Sequence, residues 1–445
     1  MSVTIKLHRG ADQIGGTITE IYTENTHIFI DFGSELSVPE EKSTDADMVK
    51  MMRQAKCNGV LFTHYHGDHI GLMGKIPEQD VQKNPIELYM GETSKSILQN
   101  IHKTLLNTPN ITPNKRAEHE HMLHILQDED RWENLSDGAS FDLGDFKITS
   151  VSVDHSAFDA YLFIIEAEGK CIVHTGDFRT HGRLGKDLFE RLSEHLQGKN
   201  VDVLLTEGTM MSRLNERVLT EEELEHKVYE VLGEPGNKYA FLICSSTNVE
   251  SLASFHNAVL HRKRPLIVNP YVRAQLDLYS ESIGRKDKRF LFNKAYPIEP
   301  VEWFNYRMRT TQMKYMEENG FVMLVGTSDF YTERMEHFRK VDPENEPLLI
   351  YSMWNGYLDE KGIAFNPKLK ALYDKWPRHR DDLHTSGHAC KEDIEEMIRL
   401  VKPGEAIIPI HTERKEMFSK LDIGELRGIV HPMSDGDRYV IGDRL

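Results

Sequence analysis

The chain has 445 residues, 39 % of them hydrophobic, and a formal net charge of −17. That length suits two domains, or one domain carrying a large insertion. The acidic balance argues against a protein held on nucleic acid by a general basic field, though not against a local basic groove or metal ions that meet phosphate directly.

No apolar run approaches a membrane span, and the N-terminal MSVTIKLHRG has no basic region followed by an apolar stretch. A cytoplasmic protein with no membrane partner is therefore expected. Cys57, Cys171, Cys244 and Cys390 are far apart and form no C-x-x-C pair. They read as buried thiols, not as a disulfide framework or a cysteine zinc knuckle.

In chain order, VTIKLHR, TITEIYT and HIFIDFG read as strands. NGVLFT (58–63) is nearly continuously apolar, as for a strand covered on both faces. THYHGDHIG (63–71) overlaps its end, so this stretch sits on the loop leaving a buried strand, a usual place for active sites. Residues 91–127 read as helical, with a polar break near NTPNITPNK. Strands return at FKITSVSV, AYLFIIEA, KCIVHTG and DVLLTEGT (202–209).

Near residue 210 the texture changes. Amphipathic helical stretches alternate with YAFLICS, PLIVN, FVMLVG and LLIYS, and Thr220–Glu223 and Thr247–Glu250 read as capping boxes. This alternation predicts a separate α/β sheet. Beyond about residue 380 come LHTSGHA, the helix KEDIEEMIRLV and the strand AIIPI. The basic clusters HRKR (261–264), RKDKR (285–289) and RHR (378–380) read as solvated helix ends or loops.

His64, His66, Asp68 and His69 fall within six residues. Neutral imidazole and carboxylate are natural ligands for zinc and similar ions. A turn leaving a strand aims residues i and i+2 at one point and i+4 and i+5 at a neighbouring one, so two ions can share such a motif. Each ion needs further ligands. His155 in VSVDHS, Asp177 in IVHTGDF and His411 in IIPIHTE all follow predicted strands, on what reads as one edge of a single sheet.

The H-x-H-x-D-H motif with a later His, a later Asp and a final His resembles the metallo-β-lactamase superfamily. Asp31 in IFIDFG matches that family's early supporting aspartate. The long interval from Asp177 to His411 holds TEGT with Glu207, SSTNVES (245–251) and HTSGHA with His388. It resembles the β-CASP nucleases, and HTSGHACKEDIEEMIRLVKPGEAIIPIH is most similar to ribonuclease J.

The resemblance implies an α/β, four-layer αββα fold. Its metallo-β-lactamase domain would be built from residues 1–207 and 373–445, around an inserted β-CASP domain at 208–372. It implies that His64, His66 and His155 hold one divalent ion, that Asp68, His69 and His411 hold a second, and that Asp177 bridges them. Zinc is the expected metal, with manganese as the alternative. A water between the ions would attack phosphorus, with Asp68 orienting it. His388 would meet the scissile phosphate or the leaving oxygen, with Glu207 as the carboxylate that raises its pKa. Ser386 and Gly387, beside His388, are candidate phosphate contacts. So are Ser245, Ser246 and Asn248 at a predicted helix start, where N-capping is the competing reading.

Two departures from ribonuclease J stand out. Its Gly-Ser-Gln-Gly type stretch, which helps hold the RNA 5′ end, corresponds here to VGTSDFYTERM (325–335), which argues against a 5′-monophosphate pocket of that design. The chain also ends soon after YVIGD, so the additional C-terminal domain linked to oligomer assembly is not expected, and a homodimer lacks that support. The reading is a metal-dependent nuclease acting on RNA as an endonuclease, a 5′-exonuclease or both. The alternatives are the same scaffold acting on DNA or on a small ester or thioester, and a non-enzymatic RNA-binding subunit. The filled ligand positions argue against the last.

Overall fold

Runs of β-branched and aromatic residues form the strands, which pack as pleated, half-buried or fully buried surfaces. The computed structural model describes residues 2–36, 42–298, 314–362 and 364–442. In chain order the strands are β1 (Thr4–Arg9), β2 (Ile18–Tyr22), β3 (His27–Ile30), β4 (Gly59–Leu61), β5 (Glu87–Gly91), β6 (Trp132–Leu135), β7 (Ser140–Leu143), β8 (Phe146–Val153), β9 (Ala160–Ala167), β10 (Lys170–His174) and β11 (Val203–Glu207). They continue with β12 (Tyr239–Cys244), β13 (Leu266–Val268), β14 (Ala295–Pro297), β15 (Phe321–Leu324), β16 (Leu348–Ser352), β17 (His379–Arg380), β18 (Ala406–Ile410) and β19 (Arg438–Val440).

The chain divides into two units. The first comprises Met1–Thr180, Leu184–Arg217 and Gly387–Leu445. It holds two sheets, ordered β19-β1-β2-β3-β4-β5-β6 and β18-β11-β10-β9-β8-β7. Their inner faces share one core, to which Ile5, Ile28 and Leu61 contribute from the first sheet and Phe163, Ile172 and Leu205 from the second. The outer face of the second sheet, with Leu162, Val173 and Leu204, packs on Leu192 of the helix Leu188–Leu196 and on Ile394 and Ile398 of the helix Lys391–Val401. Val60, Phe62 and Leu88 on the first sheet are equally buried, as are Ile97 and Leu98 of the helix Glu92–Leu106. The result is the expected layered α/β architecture. Each such side chain contributes about 1.5–3 kcal/mol on burial.

The second unit comprises His181–Arg183 and Val218–Ser386. Its sheet has the order β14-β13-β15-β12-β16-β17, with every pair parallel. Phe241, Phe321, Phe338, Tyr351 and Trp376 form its aromatic core. The unit boundaries fall at 217/218 and 386/387, whereas the resemblance put the inserted domain at 208–372. Packing explains the offset. Met211 of the short helix Thr209–Arg213 sits in the core of the first unit, and Trp376 sits in the core of the second.

The capping box at Thr220 forms as expected, with Thr220 accepting from the Glu223 N–H and Glu223 accepting in return. The second expected box does not form. Asn248, one residue beyond Thr247, caps the helix Val249–His261 by accepting from Ser251. Glu250 is instead buried and accepts from Arg183 at 3.2 Å. The basic clusters are largely spent on local structure: Arg264 and Arg378 donate to backbone carbonyls, and Arg262 stacks on Tyr229 with 3.7 Å to the ring centroid.

Glu20 on β2 accepts from His8 at 2.8 Å and from His27 at 2.7 Å. Burial pushes its pKa up, but the two imidazoles outweigh that and hold it at about 2, against an ordinary 4.5. A depressed carboxylate stabilises the fold above its unfolded pKa, and that contribution is lost as pH falls through the folded value. The expected loss for Glu20→Gln in urea unfolding is up to about 3 kcal/mol at pH 5.5, shrinking steadily below pH 4.5. A loss that stays constant down to pH 3 would rule out this ion pairing as its origin.

Candidate metal centre

The His-rich turn leaves β4 and forms a short helix, Gly67–Ile70, with His66 at its N-cap. It packs backbone to backbone on the loops after β1 and β3. Thr17 donates to the Asp68 carbonyl at 3.0 Å and Phe32 to the His69 carbonyl at 2.8 Å. A Cβ at Gly33 would lie 1.7 Å from the Asp68 carbonyl oxygen, so only glycine permits this approach. His155 follows β8, Asp177 follows β10, Glu207 ends β11 and His411 follows β18.

The expectation that His155, Asp177 and His411 share one edge of a single sheet holds. The His-rich turn comes from the first sheet, and His155, Asp177, Glu207 and His411 come from the second. Face-to-face packing of the two sheets brings their edges together, a relation that strand patterning alone does not encode.

His64, His66 and His155 present ligand-type atoms within 4.8 Å of one another, and so do Asp68, His69 and His411. Asp177 stands between the two sets. Its carboxylate is 3.9 Å from both His64 and His155, 3.3 Å from His69 and 3.7 Å from His411. His388 faces Asp177 at 3.6 Å and Glu207 at 3.0 Å.

Surrounding groups set the tautomers. Thr63 donates its hydroxyl to Asp31 and thereby accepts from His64 Nδ1 at 3.0 Å. His69 Nδ1 donates to Asp31 at 2.7 Å, and His155 Nδ1 donates to the Gly387 carbonyl at 2.6 Å. All three rings thus turn Nε2 inward. His64 and His69 are buried; among the described residues the His64 Nε2 has no hydrogen-bond partner, and the His69 Nε2 faces the Asp177 carboxylate at 3.3 Å. An unsatisfied buried polar atom costs about 1–3 kcal/mol, so a site that orphans an imidazole nitrogen among other ligand-type atoms fits a cation better than solvent or protein.

Burial first, and neighbouring histidines second, push His64 and His155 well below the usual imidazole range, and burial brings His66 down to about 4. These rings are neutral at pH 7, the form that binds metal. His69 differs. Burial opposes its protonation, but Asp177, Asp31 and Asp68 raise its pKa. For Asp177, burial pushes upward, and the His411 and His69 charges overcome it and hold the carboxylate well below its usual range.

Backbone strain also gathers here. Asp31 (φ 61°) and His411 (φ 51°) adopt left-handed conformations, uncommon for residues other than glycine. His411 is held there by its N–H to the Gly10 carbonyl at 2.6 Å and by Thr209 Oγ1 against its Nδ1 at 2.8 Å. Thr63, Thr209 and the Gly387 carbonyl orient ligands, and the sequence reading assigned none of them that role. Their only sequence signal is adjacency to a ligand or to a strand end.

Of the expected phosphate contacts, Gly387 and His388 belong to the first unit, and Ser245, Ser246, Asn248 and Ser386 to the second. Gly387 packs on Ser156, which a Cβ would strike at 2.4 Å. Asn248 serves as a helix cap, and Ser245 pairs with the Thr247 hydroxyl at 2.9 Å. The Ser386 carbonyl accepts from His181 at 2.8 Å.

Residues 27–226 match the β-lactamase superfamily domain, and residues 378–421 match the Zn-dependent metallo-hydrolase RNA specificity domain. Ribonuclease J of Helicobacter pylori is 21 % identical over 470 aligned residues, covering 99 % of this chain and 61 % of that protein. Ribonuclease J of Mycoplasma genitalium is 21 % identical over 98 % of this chain and 73 % of its own length. The chain is ribonuclease J-like: it carries a β-lactamase superfamily domain and an RNA specificity domain and resembles ribonuclease J over nearly its whole length. The fold of this ribonuclease J-like chain is shared with a protein of unknown function from Enterococcus faecalis, at 19 % identity and a TM-score of 0.68, covering 99 % of this chain and 100 % of that one. The chain spans 61 % of the length of the Helicobacter relative.

Proposed function

We propose that this protein is a two-metal ribonuclease, its β-CASP domain at about 208–372 inserted into a metallo-β-lactamase domain formed by the rest. The observation that carries the reading is the pair of ligand sets, His64/His66/His155 and Asp68/His69/His411, either side of Asp177, in a chain that also matches an RNA specificity domain. Those residues would hold two divalent ions, zinc by preference and manganese as the alternative. Ions bound there supply Lewis acidity, an activated water and neutralising charge for a phosphodiester.

The chain supplies the rest. Asp68, facing His411 at 3.2 Å, would orient the attacking water. Burial works against protonating His388, but Glu207, in contact and hydrogen-bonded, raises its pKa, helped by Asp177 and Asp68. Glu207 is itself fixed by the Phe178 N–H at 2.9 Å. With Nδ1 committed to Glu207, His388 would deliver a proton from Nε2 to the leaving oxygen. Gly387 and Ser386 would line the phosphate path. No described helix is long and apolar enough to cross a membrane, and a cytoplasmic location accords with RNA as substrate.

The deciding experiment incubates the protein with RNA carrying a 5′-monophosphate and a 3′ label, with zinc or manganese and with a chelator control. Metal-dependent cleavage is expected. Discrete internal cuts would mean an endonuclease, and progressive shortening from the 5′ end an exonuclease. RNA left intact in every lane would overturn the proposal, and DNA and then small esters would be the next substrates to try.

A further inference from the structure

The segment Asp177–Thr180 acts as a strap across three loops of the first unit. The Phe178 N–H holds Glu207 at 2.9 Å. The Thr180 hydroxyl donates to Asp393, in the first turn of the helix that follows His388. Between them, the Arg179 N–H donates to the Asp154 carbonyl at 2.8 Å, an isolated antiparallel bridge, and its Nε donates to the Asp154 carboxylate at 3.0 Å. The two side chains are 0 % and 2 % exposed. Gly185 lies directly against this bridge, where a Cβ would come within 2.5 Å of the Arg179 carbonyl oxygen.

We propose that Asp154 and Arg179 are positioning residues that fix the separation of His155 from Asp177. The proposal rests on the reading of this centre as a metal site. Asp154 immediately precedes His155, and Arg179 lies two residues beyond Asp177, so the ion pair spans the same two loops that the ligands span. The ligand atoms stand 3.9 Å apart, and the pair ties together the two loops that carry them. A buried ion pair is a poor source of net stability, because desolvation offsets most of its attraction. What it supplies is direction. The planar guanidinium meets a carboxylate in one orientation, a constraint that a lysine ammonium does not reproduce.

The test is isothermal titration of zinc chloride into metal-free protein, with thermal melting of the same metal-free samples. Arg179→Lys keeps the charge and loses the orientation. Zinc affinity for at least one ion is expected to fall by about 10–100-fold, the range for groups that orient metal ligands, while the melting temperature stays within a few degrees of wild type. Affinities unchanged within about threefold would overturn the proposal. If Arg179→Lys is strongly destabilised, the neutral pair Asp154→Asn with Arg179→Gln decides by the same criteria. Failure of both proteins to fold overturns the positioning role in favour of a structural one. A wild-type protein that takes up no zinc would instead remove the metal-centre reading itself, an outcome the variants do not mimic.

Discussion

His64→Ala is expected to abolish RNA cleavage and to lower bound zinc by one ion per chain, with little change in fold. His64 belongs to two of the ligand groupings, with His66 and His155 and with His69 and Asp177. Its ring contacts those of His66, His69 and His155 at centroid distances of 4.8, 4.0 and 4.6 Å. A metal acting as Lewis acid contributes several kcal/mol to transition-state stabilisation, and each 1.36 kcal/mol is tenfold in rate. The expected loss in kcat/KM is therefore about a thousandfold or more. Folding should survive, because among the described residues the one hydrogen bond the ring makes is from Nδ1 to Thr63, and Thr63 keeps its bonds to Asp31. Elemental analysis and circular dichroism on the same preparation check both halves. Wild-type turnover with one zinc missing would sink the two-metal proposal.

His388→Gln tests the proton donor. A general acid contributes about 10²–10⁴-fold, so kcat on RNA is expected to fall by that range with zinc content unchanged. The decisive comparison uses a phosphodiester with a p-nitrophenolate leaving group, which departs without a proton. There the loss should shrink to within about tenfold. Equal losses on both substrates would make His388 a phosphate-binding residue, and no loss on either would make the Glu207–His388 pair structural. Glu207 is a less direct probe. It is buried and accepts from Phe178 at one oxygen and from His388 at the other, so Glu207→Gln turns an amide N–H₂ towards one of these donors and disturbs either the strap or the acid.

The candidate ligand set is legible in the amino-acid order for a physical reason. The proposed metal ligands follow buried strands, and a buried strand announces itself as a continuous apolar run. NGVLFT leads into His64, FKITSVSV into His155, KCIVH into Asp177 and AIIPI into His411. The helix start at Thr220 is legible too, because a capping box is local chemistry within four residues. Asn248 shows the limit of local reasoning. Thr247 and Glu250 have the right spacing, but Glu250 is drawn to Arg183, a partner 67 residues away, and the cap moves to the next residue.

By itself the sequence determined which residue types stand at strand ends, and therefore that a cluster of imidazoles and carboxylates was available. Only the tertiary structure decided that the cluster is assembled from two sheets and that Thr63, Thr209 and the Gly387 carbonyl orient its rings. It alone shows Arg179 paired with Asp154, beside the candidate ligands His155 and Asp177 in the chain. Those relations depend on how two sheet faces pack and on which backbone carbonyls that packing leaves open. Side-chain periodicity reports which face of a strand is buried, not what that face is buried against.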